Sequence, residues 1–565
     1  MRTINHIIIV LMALVIIPSA WAQQQNQFGY MPKSVKRVFL TPDHAGQSFQ
    51  LQNNKGDEVL SGTTTVAKDW PHSGTTVCYA EFSELTAPGE YELILEGSKE
   101  TVSVSINADN YSELGNALVK SYYMARVSEP VKEQYAGIYA RPLGHADDKV
   151  IIHASAASKE RPEGTIISSP GGWYDAGDYG KYIVNSAIST YTLLHLCESF
   201  PKYTQAINLN IPESGNGASD VLNEAIINLK WMLTMQDPND GGVYHKLSSK
   251  RFCGMVMPHK DPLERYVVMK STAATLDFAA TMAKSYRVIK PFESVYPGLA
   301  DKCLSAAESA WQWSLKNPAV LYKQPGDIQT GQYDDKKIDD EWFWAATELF
   351  LSTGQKEYRQ AVSFEEQRFS VPQWARVNTL GLYSLLNDTE KAKELTKKSG
   401  KALLKIADKL YRDYETSAYR ISITKFPWGS NSELANEGMV FIHAYQLTGN
   451  EKYLHAADAC IGYMLGANPL GYSFVTGFGT KTPMHVHDRR CKADGIEAPI
   501  PGLLAGGPSL QAQQDCGKDN YPSSYPAMSY LDETCSYSTN EIAINWNASA
   551  SFLVLGLDAI YRSEK

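Results

Sequence analysis

No Cys-x-x-Cys pair occurs anywhere in the 565 residues. That removes the zinc ribbon and its relatives, which hold their metal through such pairs. There is no surplus of basic charge either. Lys and Arg number 53 against 62 Asp and Glu, a formal charge of −9. Such a balance argues against nucleic acid or an anionic membrane as a partner. Beyond residue 17 no long apolar run occurs, so no membrane-spanning segment is expected downstream. Nothing repeats at a period of 20–50 residues, so a solenoid is not expected. Apolar residues make up 43% and charged ones 20%, which allows a large buried core and excludes global disorder.

Residues 1–22 read as a secretory leader. Arg2 is the only charge before the apolar run Ile7 to Ile17, which is too short to span a bilayer comfortably, and Ala20-Trp21-Ala22 fits a small-x-small cleavage site. No Cys follows that site, so a lipid anchor is not expected. Without Arg2 the mature chain carries −10, and it is expected to be secreted or periplasmic. An oxidising compartment permits disulfides among its eight Cys. Cys491, Cys516 and Cys535 cluster in one loop-rich region, where a bridge is expected with the pairing left open. Cys197 and Cys460 sit in helical patterns and read as buried thiols.

From residue 23 to about 107, short runs rich in Val, Phe, Tyr and Thr alternate with turn residues. They are Arg37–Thr41, Ser48–Gln52, Thr76–Phe82, Tyr91–Leu95 and Thr101–Ile106. This spacing predicts a small all-β sandwich over 23–107. From 108 to 565 the period changes to three and four. Val221, Leu222, Ala225, Ile226, Leu229, Met232 and Leu233 form one stripe, with Ser219 as candidate N-cap. Ten similar stripes follow or precede it, near 109–126, 184–200, 271–288, 301–316, 340–353, 373–386, 390–413, 431–448, 451–466 and 540–561. A large all-helical domain is expected. Long Gly/Pro/aromatic loops interrupt it at 136–182, 237–270, 318–339 and 467–539, and long loops in a compact domain are usually functional.

The first loop ends in Gly171-Gly172-Trp173-Tyr174-Asp175-Ala176-Gly177-Asp178-Tyr179-Gly180-Lys181-Tyr182. Two carboxylates stand three apart in a tight turn among aromatic rings. Asp is also an ordinary turn residue, and Asp178 alone would serve as a helix cap near Lys181. The last loop holds Ser473 to Lys481, then His485, His487 and Arg489, followed by Tyr530, Asp532, Tyr537, Asn540 and Glu541. His487 and Arg489 share one side of an extended strand and can donate hydrogen bonds to sugar hydroxyls. Glu541 opens an apolar helix. There it is either a residue favoured by the helix dipole or a general acid whose pKa its apolar surroundings raise.

These blocks, taken together and in order, resemble glycoside hydrolase family 9, the endoglucanase and cellulase family with an N-terminal immunoglobulin-like domain. Asn26 to Tyr30 resembles the opening of that module. Gly171 to Lys181 resembles the family's Asp-Ala-Gly-Asp block. Ser473 to Arg489 fits its histidine signature, and Tyr530 to Ala548 its acidic signature, with Trp546 where many members carry Tyr. The resemblance covers nearly the whole mature chain. It implies an (α/α)6 barrel catalytic domain behind the immunoglobulin-like sandwich, and an inverting endo-β-1,4-glucanase. Asp178 would then be the general base, Asp175 would hold or tune its water, and Glu541 would be the general acid. His487 and Arg489 would bind sugar. Asp532 belongs to the acidic signature and is carried as substrate-binding. Trp173, Tyr174, Tyr537 and Trp546 are candidate sugar platforms, whereas Trp231, Trp311, Trp342 and Trp344 read as core.

No cofactor is implied for the chemistry. Many members bind calcium, and Asp237, Asp240, Asp261, Asp334 and Asp335 are oxygen ligands in suitable loops, but no metal ligand is assigned. The expected partner is a β-glucan, such as cellulose, mixed-linkage glucan or xyloglucan, met by a monomer. No separate cellulose-binding module is read, which favours a soluble or partly digested glucan. The competing readings are an exo-acting glucosidase or glucosaminidase on the same scaffold, a non-catalytic glycan-binding protein, and a polysaccharide lyase. The intact set Asp175, Asp178 and Glu541 speaks against the second, and the acidic balance against the third.

Overall fold

The computed structural model describes residues 24–99, 101–388 and 392–563. The leader expected at 1–22 lies outside them. Residues 24–106 form two four-stranded antiparallel sheets. One runs β1 (Gln24–Gln25), β2 (Arg37–Leu40), β6 (Thr75–Glu81), β5 (Lys68–Trp70). The other runs β4 (Glu58–Thr63), β3 (Ser48–Asn53), β7 (Gly89–Leu95), β8 (Thr101–Ile106). Period-two alternation explains the packing. Phe49, Leu51, Tyr91, Leu93, Leu95, Val102, Val104 and Ile106 point into one shared core. Five strands fall within two residues of the expected runs. β4 was not expected, because neither of its faces is deeply buried and its sequence carries no apolar alternation.

Among the described residues twelve α-helices of six residues or more build the second part. They are α1 (Asn110–Ala125), α2 (Ile183–Ser199), α3 (Asp220–Thr234), α4 (Thr272–Ile289), α5 (Leu299–Lys316), α6 (Asp339–Thr353), α7 (Lys356–Ala361), α8 (Asn378–Asn387), α9 (Lys393–Thr416), α10 (Ser430–Thr448), α11 (Glu451–Met464) and α12 (Ile544–Ser563). The even-numbered helices form an inner ring. α2 packs on α4, α4 on α6, α6 on α8, α10 on α12, and α12 closes back on α2. α8 and α10 barely touch, and α9 bridges them. Each odd-numbered helix lies outside one inner helix. This is an (α/α)6 barrel, as the resemblance implied.

The sequence explains the two rings. α2 is buried without a break from Ile183 to Cys197, as a helix apolar nearly all round must be. α9 buries only Leu395, Ser399, Gly400, Leu403, Ala407, Leu410 and Tyr414, one stripe spaced by three and four. α7 escaped the sequence reading because six residues are too few to show a period. Ser219 does sit at the N-cap position of α3, but its hydroxyl donates to the Thr204 carbonyl at 2.9 Å rather than capping.

Two of the expected loops are not structureless. They contribute a five-stranded sheet in the order β10 (Ile166–Ile167), β9 (Val150–Ile152), β13 (Tyr266–Val267), β12 (Lys246–Ser248), β11 (Lys181–Tyr182). Strands of two or three residues leave no sequence signature. Their effect is to fasten the chain entering α2 to the chain entering α4. Farther on, Cys516 and Cys535 form a disulfide, Cys491 stays free, and Cys197 and Cys460 are buried thiols.

Candidate active site

The chain entering each inner helix arrives at the same end of the barrel. Asp175, Asp178 and Tyr182 come from the segment before α2, Phe252 from that before α4, and Tyr333 from that before α6. Trp374 precedes α8, Trp428 precedes α10, and Glu541 precedes α12. Together they line a cleft of about 360 Å3. Residues 366 positions apart in sequence thus meet because six helices run the same way.

The loop Gly171–Tyr182 is held tightly. Gly172 has φ +80°, and a Cβ there would press on Trp231. At Gly177 a Cβ would collide with the backbone of His487, so only glycine lets the two signature segments lie against each other. Asp175 is buried. Its Oδ1 accepts from Asn185 Nδ2 at 2.6 Å and its Oδ2 from the Tyr333 hydroxyl at 2.7 Å. Burial, and then the neighbouring charge of Asp178, raise its pKa to about 7. Asp178 accepts from Gly180 N–H at 3.1 Å and from the Tyr182 hydroxyl at 2.8 Å. It is not a helix cap, since α2 starts only at Ile183. Nearby Lys246 is pushed down to about 7 by burial, against the pull of Asp178.

Glu541 stands half-buried across the cleft. Burial, followed by the charges of Asp178 and Asp175, holds its carboxyl well above the usual carboxylate range. Backbone bonds fix it in place. Gly506 N–H donates to the Glu541 carbonyl at 2.8 Å, His487 N–H to Asn540 at 2.9 Å, and Ile544 N–H to the Asp175 carbonyl at 2.9 Å. The last of these ties the two carboxylate segments directly. His487 Nδ1–H donates to the Thr534 carbonyl at 2.6 Å, which fixes its tautomer. Arg489 donates to the carbonyls of Cys253 at 3.2 Å and Gly177 at 2.5 Å. His487 lies against the Asp178 loop at Gly177, and Arg489 lines a small hollow that Asp178 and Phe252 share with the cleft.

Three expectations are corrected. Trp173 is fully buried, its Nε1–H donates to Glu224 at 2.9 Å, and its ring packs on Tyr122. Tyr174 is equally buried, hydrogen-bonded to His145 and packed on Tyr179. Neither can offer a face to sugar. Asp532 is spent on the Met484 and His485 amides, Asn540 Nδ2 and the Tyr472 hydroxyl. It organises the loop instead of facing the cleft. Trp546 does line the cleft, and Tyr537 backs Trp428 at 5.3 Å between ring centroids. Trp231, Trp311 and Trp344 are core, as expected.

The structure adds four residues that sequence reasoning passed over. Trp428 and Phe252 are 42% and 47% exposed. Such exposure of large rings in a cleft marks contact surface. Trp374 and Tyr333 complete the wall. Pro427-Trp428-Gly429 and Pro372-Gln373-Trp374 sit just ahead of helix starts, and that position was the available signal.

Four of the five acidic loop residues meet basic side chains, and the fifth, Asp335, accepts from Lys337 N–H at 2.8 Å. Lys270 joins Asp237 at 2.8 Å and Asp240 at 2.7 Å, so an ammonium already stands between them. Asp261 meets His145 and Asp334 meets Lys336. Among the described residues no three His, Cys, Asp or Glu are placed to hold one ion, and no helix is long and apolar enough to cross a membrane.

Comparison with known proteins agrees with this geometry. The model of Glycosyl hydrolase family 9 matches residues 111–554, and that of the Cellulase N-terminal ig-like domain matches 24–100. The chain is 41% identical over 552 residues to Xyloglucan-specific endo-beta-1,4-glucanase BoGH9A of Bacteroides ovatus, covering 95% of this chain and 93% of that protein. It is 31% identical to Endoglucanase D of Acetivibrio thermocellus, covering 94% of this chain and 82% of that one. The solved structure of Bacteroides ovatus GH9 superposes with a TM-score of 0.89 at 40% identity, over 95% of this chain and 99% of that one. AaCel9A in complex with cellobiose-like isofagomine gives a TM-score of 0.85 at 30% identity, over 94% and 99%.

Proposed function

Since the chain belongs to glycosyl hydrolase family 9, we propose that it is a secreted, inverting endo-β-1,4-glucanase. The single observation that carries the mechanism is the cleft itself. It opposes Asp178, whose carboxyl accepts two hydrogen bonds, to Glu541, whose pKa burial raises well above the usual carboxylate range. Asp178 takes a proton from water, and the oxygen of that water attacks the anomeric carbon. Glu541 gives its proton to the departing glycosidic oxygen. An inverting enzyme places such groups roughly 6.5–9.5 Å apart, with water between. Asp175 is buried beside Asp178, and its role is to hold that water and set the charge of the pair. Trp374, Trp428, Trp546 and Phe252 supply ring faces for the glucan backbone.

The substrate is a β-1,4-glucan. Xyloglucan is the first polymer to test, because a relative sharing 41% of residues is named as specific for it. No cofactor enters the reaction as written.

The deciding experiment follows an unbranched and a xylose-branched gluco-oligosaccharide by proton NMR, with Glu541→Gln alongside. The α-anomer is expected first. The variant is expected to lose about 10²–10⁴ in rate, the usual worth of a general acid. A β-anomer appearing first would refute the water-activating role of Asp178.

A further inference from the structure

One cavity of the molecule lies apart from the catalytic cleft. It measures about 490 Å3 and lies where the inner ring is weakest, between the segment entering α8, the outer helix α9 and the start of α10. It shares no lining residue with the cleft, although Arg376 and Lys425, two and three residues from Trp374 and Trp428, line it.

Its chemistry differs from the cleft's. Arg368, Lys405, Lys409 and Lys425 surround it, and among the described residues none of the four has an ion-pair partner. In a chain of formal charge −9, four free cations around one hollow are conspicuous. Three carboxyls also reach it. Glu433 is matched by Arg376 at 3.2 Å. Glu437 lies beside Ser422 at 2.5 Å, and burial pushes its pKa up to about 8. Asp413 and Glu437 are left beside the four cations. The walls are apolar, from Phe369, Val371, Ile406 and Leu410. The volume falls inside the roughly 300–1,000 Å3 of small-molecule sites.

We propose that this cavity binds an anionic saccharide, a uronate whose carboxylate meets Lys405, Lys409 and Arg368 while its ring rests on the apolar wall. Lysine ammoniums supply the charge, and the Arg368 guanidinium can clasp a carboxylate with two parallel bonds. The site is separate from the carboxylates of the cleft, so it stands whether or not the hydrolytic reading does.

The test is titration calorimetry at low salt, where such attraction is least screened. Glucuronate, glucose and sulfate are the probes, and the proteins are the full mature chain, Glu541→Gln, and the double variant Lys405→Gln/Lys409→Gln. Glucuronate is expected to bind, with glucose and sulfate each at least tenfold weaker. The lysine variant is expected to lose at least tenfold in affinity for glucuronate while keeping its melting temperature and its rate on unbranched glucan. Glu541→Gln is expected to bind as the parent does. Equal binding of glucose would overturn the charge argument, and equal binding of sulfate the saccharide argument. Unchanged affinity in the lysine variant, or lost affinity in Glu541→Gln, would put the ligand elsewhere. Arg368→Gln, on an exposed residue assigned to the same carboxylate, repeats the test should the double variant fail to fold.

Discussion

Tyr333→Phe isolates the tuning of the carboxylate pair, because it removes one oxygen and leaves the ring. That hydroxyl donates to Asp175 Oδ2 at 2.7 Å. The ring stays packed on Tyr182 and Trp374. Asp175 sits at about 7 because burial and Asp178 raise it while Asn185 and Tyr333 pull it down. A hydrogen bond to a charged group is worth about 1.5–3 kcal/mol, and one pKa unit about 1.4 kcal/mol. Losing the Tyr333 donor should therefore raise Asp175 by about one to two units. Ionised Asp175 belongs to the active form, so activity is lost as pH falls through its pKa. The acid limb of kcat/KM should move up by that same amount. The assay is reducing-sugar release from a soluble β-1,4-glucan between pH 4 and 9, with melting temperature as a folding control. Superimposed acid limbs in variant and parent, with kcat merely lowered, would refute the reasoning and leave Tyr333 a packing residue.

Two further outcomes are expected. Trp428→Ala removes a 42% exposed ring from the cleft and should raise KM by about tenfold, roughly 1.4 kcal/mol, with kcat changed less, as loss of uniform binding requires. Initial-rate kinetics check it, and a fall confined to kcat would contradict the platform role. Asp277→Asn concerns stability. Asp277 is fully buried, neither of its oxygens finds a hydrogen-bond partner, and burial, then Asp340 and Asp335, hold its pKa well above the usual range. Its folded pKa exceeds its unfolded one, so stability is highest below the ordinary carboxylate range and falls as pH rises from there toward the folded value. The amide should gain more than about 1 kcal/mol at pH 7.5 and almost nothing near pH 4, read by thermal unfolding at the two pH values. A gain of equal size at both would show that charge is not the cause.

How much of this was legible depended on length and on company. Helices of ten residues or more announced themselves by period, and α7 with its six residues did not. β9 to β13 were invisible for the same reason, although they anchor the loop that carries Asp178. Asp175, Asp178 and Glu541 stood out because each belongs to a block of several unusual residues. Trp428 and Phe252 stand nearly alone in their loops, and nothing local separates a ring that meets solvent from one that fills the core. Trp173 and Tyr174 erred in the opposite direction. Sitting beside Asp175 they read as contact residues, but a turn that aims its carboxylates into a cleft sends the neighbouring rings into the interior, where Glu224 and His145 receive them.

The hydrogen bond from Ile544 to Asp175 has a consequence for synthesis. One carboxylate segment opens α2, and its counterpart opens α12, the helix that closes the ring between α2 and α10. A growing chain therefore carries its base long before its acid exists, with the gap for α12 open and its apolar lining exposed. No truncated intermediate can hold both groups at working separation. Activity appears in one step, when α12 docks. Turnover is thus a readout of complete assembly.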